Sequence, residues 1–300
     1  MKVVVGASSF AESSKGALQM FLDRGIEVVK NPYGRKMTEK EIIDHLQGAD
    51  GLLAGLEPLN EIVFQNAPGL KAIARIGIGM DNVDQEAAAR YGIRISNTPE
   101  GPTDAVAEMV LTVLLNICHN VIASNQDVHN EIWKKRIGRS IAELTILVIG
   151  YGRIGKRTAD LLKGLGAKIL IYDKYDSAVS TCNLTDGLRQ ADVITMHASG
   201  NDMILSEEMF ADMKEGVIIL NSARGGLIHE QALYTALQSG KVAAFWGDAL
   251  WTEPYHGILC NCENAILTPH ICTYTTACRK NMEMQAAENL LHDLEEAGVC

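Results

Sequence analysis

Thr145-Ile-Leu-Val-Ile149-Gly150-Tyr-Gly152-Arg-Ile-Gly155 decides the reading of this sequence. A short apolar run predicts a buried strand, and the glycine-spaced turn after it leads into a helical pattern that ends near Gly164. A second strand, Lys168–Tyr172, follows and delivers Asp173. A lone G-x-G-x-x-G carries little weight; strand before, helix after and an acidic residue roughly 20 positions on give it meaning. Gly150 permits the tight turn, Gly152 lets a pyrophosphate approach the backbone, and Gly155 lets helix and strand pack closely. The helix N-terminus then faces the phosphates. A carboxylate at Asp173 accepts hydrogen bonds from ribose hydroxyls and repels a 2′-phosphate, which favours NAD over NADP. Lys174, next in the chain, leaves NADP open.

The same alternation of short apolar runs with helical patterns extends both ways from this stretch. Upstream, strands are expected at Lys2–Val5, Glu27–Lys30, Gly51–Ala54, Leu70–Ile76 and Ile93–Ser96, with amphipathic stretches such as Ser14–Arg24 and Thr38–Gln47 between them. A long helix is expected from Thr103 to His119, because Val106, Met109, Val110, Val113, Leu114 and Ile117 step by three and four. Downstream, strands are expected at Val193–Met196, Val217–Leu220, Val242–Phe245 and Ala265–Leu267, then a final helix Thr275–Glu296 that packs back on the first unit. The fold class is α/β: two doubly wound parallel-sheet domains, Rossmann-like and flavodoxin-like. The expected division is a discontinuous substrate domain, 1–98 plus 272–300, with an NAD-binding domain, 99–271, inserted in it.

The 300 residues are 47% hydrophobic and 21% charged, enough for two buried cores, and only 5% are aromatic. Such a Val, Ile, Leu and Ala supply is what buried parallel strands need. A net charge of −10 argues against nucleic acid or an anionic membrane as partner, since both demand a basic surface. A small anion needs only a local cationic pocket. No signal-peptide pattern and no membrane-spanning run are apparent, and the 7 cysteines have no framework spacing, so a reducing cytoplasm is expected. His256, Cys260 and Cys262 lack the second ligand pair of a metal site; no metal is expected.

In an open parallel sheet, ligands bind beyond the carboxyl ends of the strands, so the residues just past each strand are where chemistry is sought. His197-Ala198-Ser199-Gly200 follows Val193–Met196, and Asn221-Ser222-Ala223-Arg224 follows Val217–Leu220. Asp248 and Glu253-Pro254 lie past Val242–Phe245, and Thr268-Pro269-His270 past Ala265–Leu267. Oxidation of a secondary alcohol needs a base for the hydroxyl proton, and histidine cycles near neutrality. A carboxylate, here Glu253, orients the ring, and Arg224 can grip a substrate carboxylate bidentately. Each residue alone has a plain structural use; their convergence beside a dinucleotide loop is what makes them catalytic candidates.

At these residues the sequence resembles the D-isomer-specific 2-hydroxyacid dehydrogenase family over nearly its whole length. The resemblance is carried by Arg75-Ile-Gly77-Ile-Gly79-Met-Asp81-Asn82-Val-Asp84, Asn97-Thr98-Pro99, Val106-Ala107-Glu108, Gly150–Gly155, Asn221–Ile228, Glu253-Pro254 and Thr268-Pro269-His270. It implies His270 as acid/base, Glu253 as its partner and Arg224 as substrate anchor. It further implies that Arg75, Ile76, Gly77, Ile78 and Gly79 meet the substrate, with backbone amides holding its carboxylate, and that Asp248 meets the nicotinamide carboxamide. The cofactor-binding set is then Gly150, Gly152, Arg153, Ile154, Gly155, Asp173, His197, Ala223 and Asp248, with NAD as cofactor. A homodimer built through the nucleotide domain, and a cleft closing between domains, are also implied.

Within the family the pattern is most similar to phosphoglycerate dehydrogenases. Arg75 could supply charge to a distal phosphate, or be a surface cation. Departures are Gly55 near the position of another phosphate-side arginine, Phe245-Trp246-Gly247 in place of a small-residue run, and Cys272 where a smaller residue is usual. They leave the substrate open between a phosphoglycerate-like acid and the glyoxylate or hydroxypyruvate of a reductase. An NAD-sensing corepressor-like binding protein is the alternative from another class, and a scaffold role would leave Gly150–Gly155 and Asp173 without purpose.

Overall fold

The structure, a computed structural model, describes residues 1–299. In chain order the elements are β1 (Lys2–Val5), α1 (Gly16–Leu22), β2 (Glu27–Val29), α2 (Glu39–His45), β3 (Gly51–Ala54), α3 (Glu61–Gln65), β4 (Ala72–Arg75), α4 (Gln85–Arg90) and β5 (Arg94–Asn97). Next come α5 (Pro102–His119), α6 (Val121–His129), β6 (Thr145–Ile149), α7 (Arg153–Gly164), β7 (Lys168–Tyr172), α8 (Leu184–Gln190), β8 (Val193–Met196) and α9 (Met209–Asp212). The series ends with β9 (Val217–Asn221), α10 (Glu230–Ser239), β10 (Val242–Gly247), β11 (Ala265–Leu267) and α11 (Thr276–Glu296).

The chain divides into two compact units. One is Met1–Pro102 with the segment from Tyr274 onward, and the other is Thr103–Thr273. These crossings fall slightly later in the chain than 98 and 271, because Pro102 opens α5, where a missing N–H and a fixed φ cost nothing.

The first unit is a parallel sheet in the order β2-β1-β3-β4-β5. Alternate residues of its strands serve opposite faces. Val4, Leu52, Ala54 and Ile73 pack with Ile42 of α2, Phe64 of α3 and Ala88 of α4. On the other face, Gly51 leaves room for Leu290 and Leu294 of α11. Asn289 and Asp293 fix that helix to the carbonyl of Asn97 and the hydroxyl of Ser96.

The second unit is a parallel sheet in the order β11-β10-β9-β8-β6-β7. Leu147, Ile149, Ile194, Ile219 and Phe245 face α8 and α10, while Ile146, Val193, Leu220 and Trp246 face α5 and α7. The sheet is therefore buried on both faces, as its continuous apolar strands require. No single helix among the described residues is long and apolar enough to cross a membrane. The bent pair α5–α6 is long and apolar enough only jointly, across a 56° break, and α5 gives its Val106, Val110 and Leu114 to the core.

Candidate active site

The strand-to-helix turn after β6 has the construction its glycines predict. Gly150 has φ 88°, and a side chain there would run into the backbone of His197 and Ala198. A Cβ on Gly155 would strike the carbonyl of Gly150, so helix and strand meet without side chains between them. Gly152 differs: a Cβ there would meet nothing. As the N-cap of α7 it offers no side-chain cap to the first turn, unlike Thr38, Asn60, Asp84, Asn183 and Thr275 at other helices. Open space over an uncapped N-terminus is what a pyrophosphate needs. Arg153 is exposed beside it and Ile154 packs toward α5.

Asp173 ends β7. Its Oδ2 accepts the Tyr151 N–H at 2.7 Å, and its Oδ1 accepts those of Tyr175 and Asp176 at 2.9 and 3.0 Å. Partial burial opposes ionisation, but the backbone donors outweigh it and hold the carboxyl below the usual aspartate range. The group stays charged, ties the glycine turn to β7, and keeps acceptor capacity on Oδ2 for a ribose hydroxyl. These residues fit NAD.

His197 follows β8, beside Gly150 by register, since Met196 pairs with Ile149 on one side and Asn221 on the other. Its ring nitrogens meet Thr195 Oγ1 at 2.9 Å and Ser222 Oγ at 3.1 Å. The Ser222 hydroxyl also donates to the Met196 carbonyl, so Nδ1 carries the proton and Nε2 accepts from Thr195. Desolvation pulls this histidine down to about 3, so it is neutral at physiological pH. It supports the dinucleotide turn from below.

The next three strand ends carry the catalytic candidates. Asn221, Gly247 and Leu267 are in register across β9, β10 and β11. Buried Asn221 receives the Ala223 N–H on Oδ1 and donates from Nδ2 to the Arg224 carbonyl at 2.8 Å, fixing the turn that bears Arg224. Gly225 passes against the backbone of Leu250 and Trp251 with no room for a side chain. His270 Nδ1 meets the Glu253 carboxylate at 3.0 and 3.3 Å. A carboxylate only accepts, so Nδ1 is the protonated nitrogen and Nε2 is left for a reactant. His270 holds a left-handed φ of 56°, which costs a non-glycine residue about 1–2 kcal/mol. Asp248, only 2% exposed, accepts from Thr268 Oγ1 (2.6 Å) and from the N–H groups of Ile271 and Cys272 (both 2.9 Å).

In the first unit the Gly77–Gly79 loop leaves the carboxyl end of β4. Its Gly77 N–H donates to the buried Thr98 hydroxyl at 2.7 Å, and the Ile78 carbonyl accepts from Asn97 Nδ2. Gly77 has φ 139°, and the Arg75 guanidinium fills the space a side chain there would take while Nη1 donates to the Ile76 carbonyl. One strand over, Glu57 is fully buried and accepts the Gly55 N–H. Burial pushes its carboxyl up, against that backbone donor and the nearby charges of Arg75 and Lys36.

Within the second unit the structure thus gathers Arg224, Glu253, His270, Asp248, His197, Ala223 and the Gly150–Gly155 turn on the carboxyl edge of one sheet, while Arg75–Gly79 occupies the corresponding edge of the other. Among the described residues no group of three or more His, Cys, Asp or Glu could hold a metal ion. Sequence reasoning passed over Asn221, Thr98, Thr268 and Glu57, which hold the site loops; the first three lay inside motifs it had marked.

Comparison with known proteins agrees with this geometry. Residues 111–272, over half the chain, match the model of the D-isomer specific 2-hydroxyacid dehydrogenase NAD binding domain. The chain is 35% identical to a hydroxypyruvate reductase of Blautia hydrogenotrophica, covering 84% of each protein. It is 33% identical to a D-3-phosphoglycerate dehydrogenase of Synechocystis, covering 85% of this chain but only 48% of that one. The crystal structure of the TT0316 protein from Thermus thermophilus superposes with a TM-score of 0.88 at 30% identity over 99% of this chain and 97% of that one. A parallel α/β pair with a dinucleotide turn defines the class: an NAD-dependent oxidoreductase acting on a CH–OH group. The chain belongs to the D-isomer specific 2-hydroxyacid dehydrogenase family.

Proposed function

We propose that the chain reduces a short, unphosphorylated 2-oxo acid such as hydroxypyruvate or glyoxylate to its D-2-hydroxy acid, with His270, Glu253 and Arg224 as its catalytic residues. The observation that carries the assignment of residues is the His270–Glu253 hydrogen bond at 3.0 Å on the sheet edge that also bears the dinucleotide turn and Arg224. Bound NADH supplies the hydride from nicotinamide C4. Protonated at both nitrogens, His270 gives the Nε2 proton to the carbonyl oxygen as the alcohol forms; in the reverse direction Nε2 takes it back. Glu253 keeps Nδ1 protonated throughout and holds the ring in place. Arg224 binds the substrate carboxylate and polarises the 2-oxo group. In the first unit the segment Arg75, Ile76, Gly77, Ile78 and Gly79 is the proposed further substrate contact, through the amides of Ile78 and Gly79, because those of Ile76 and Gly77 are taken by Ala54 and Thr98.

Two observations favour an unphosphorylated substrate. Arg75 is engaged with its own loop, its Nη1 donating to the Ile76 carbonyl, and its charge lies near the buried Glu57 carboxyl. The Blautia relative named for hydroxypyruvate matches over most of both chains. A second copy of the chain is the proposed partner: α6 and the residues after it expose Val121, Ile122, Val128, Ile132, Trp133 and Ile137, with Trp133 85% and Ile137 99% accessible. The test is NADH oxidation over a panel of 2-oxo acids. His270→Ala should lower kcat by about 10²–10⁴-fold while NADH still binds. Unchanged turnover in that variant would sink the assignment of His270, and a panel with no substrate would favour a binding protein.

A further inference from the structure

We propose that Asp248, Thr268, Trp246 and Cys272 form a positioning network that sets the conformation of His270. This rests on the reading of His270 as acid/base. The turn that carries His270 sends most of its donors to a single residue, Asp248. The Thr268 hydroxyl reaches Asp248 Oδ1 at 2.6 Å, the Ile271 N–H the same oxygen at 2.9 Å, and the Cys272 N–H reaches Oδ2 at 2.9 Å. The His270 N–H itself donates to the Asp248 backbone carbonyl at 2.9 Å. Behind Thr268, the indole Nε1–H of fully buried Trp246 donates to Oγ1 at 3.0 Å, which aims the hydroxyl proton at Asp248.

The Cys272 thiol lies beside the same carboxylate, and burial together with the charge of Asp248 holds it far above the usual range. The carboxylate is thereby ringed by the hydroxyl and two amides, and Asp248 is buried. Trp246 thus reaches the carboxylate through the Thr268 hydroxyl, and Cys272 reaches it directly through its N–H.

A left-handed residue persists only where its surroundings over-determine it. His270 has φ 56°, between a backbone pinned on both sides by Asp248 and an imidazole held by Glu253. With the pins loosened, the residue relaxes toward ordinary backbone angles and carries Nε2 off line. Asp248 acts through His270 and is a positioning residue in this reading.

The experiment compares wild type with Thr268→Val, Thr268→Ser, Trp246→Phe and Asp248→Asn, recording the pH profile of kcat/KM, kcat at saturating NADH, and NADH affinity by fluorescence titration. The expected result for Thr268→Val and Asp248→Asn is a 10- to 100-fold loss of kcat with a displaced limb in the pH profile and NADH affinity within about threefold of wild type. Thr268→Ser, which restores the hydroxyl, should recover both kcat and profile, and Trp246→Phe should lose severalfold in the same direction. Weakened NADH binding with wild-type kcat and profile at saturation would overturn the network and leave Asp248 a cofactor contact alone. Should Asp248→Asn not fold, the Thr268→Val and Thr268→Ser pair still decides. Failure of His270→Ala to impair turnover would strike the proposed function instead, a separate result.

Discussion

The two units share one architecture and use it differently. Each is a parallel sheet covered by helices, and each collects its functional loops at the carboxyl ends of its strands. The larger sheet presents side chains there: Arg224, Glu253 and His270, beside a glycine turn with an uncapped helix behind it. The smaller one presents backbone, with Gly77–Gly79 stitched to Asn97 and Thr98. Carboxylates hold loops in both, but under opposite electrostatic balance. Glu57 and Glu283 of the first unit are pushed up by burial, whereas Asp173 of the second is held down by its amides. The fold thus supplies an edge, and the loops decide which groups that edge presents.

That division can be broken in several places. The largest expected effect is at Arg224: Arg224→Ala should lower kcat/KM for a 2-oxo acid by about 10²–10³-fold, the loss of a charged bidentate contact. A loss confined to a few-fold would move the anchor to the first unit. A smaller effect is expected in stability. His197 is neutral with a folded value of about 3, so the stability it contributes is complete above its unfolded value near 6.5 and drains away as pH falls. Acidifying from pH 6.5 to 5 should cost the second unit about 2 kcal/mol. The raised Glu57 and Glu283 work the other way, favouring the first unit at low pH and losing that contribution as pH rises through their folded values. Hydrogen exchange read separately on β6 and β8 and on β1 and β3 measures this, with His197→Gln expected to flatten the acid slope of the former. Equal slopes in the two sheets would refute the contrast.

The next effect separates ligand from fold within one motif. Gly152→Ala should leave the melting temperature unchanged and weaken NADH by about tenfold, because the added methyl enters open space over α7. Gly155→Ala should instead lower the melting temperature by several degrees, since its methyl meets the Gly150 carbonyl. Smallest is Thr98→Val, which orphans the Gly77 N–H and should raise KM for the acid a few-fold with kcat nearly constant.

Much of the fold was legible. The strands at Gly51–Ala54, Thr145–Ile149 and Val193–Met196 stand where their apolar runs placed them, because a strand buried on both faces leaves an uninterrupted signal. Strand ends were less visible: β10 runs on to Gly247, past Phe245, since Trp246 and Gly247 still pair with Leu220 and Asn221. Glycine spacing revealed the dinucleotide turn. What no local pattern announced was the long-range anchoring of the loops, such as Glu283 reaching Ala11 or Asp248 gathering the His270 turn. A buried carboxylate reads in sequence like any exposed one until the chain has folded around it.

The helix α11 has a consequence for the order in which the protein takes shape. It covers the β3–β4–β5 face of the first sheet and holds the loop after β1 through Glu283 and Ala11. Yet a ribosome makes it only after the whole of Thr103–Thr273. At ordinary synthesis rates this leaves roughly 10–30 s in which the first hundred residues carry an uncovered apolar face. Over the same interval the inserted unit is contiguous and can fold as it emerges. The unit begun first is therefore completed last, and an aggregation-prone nascent chain is where that wait would be felt.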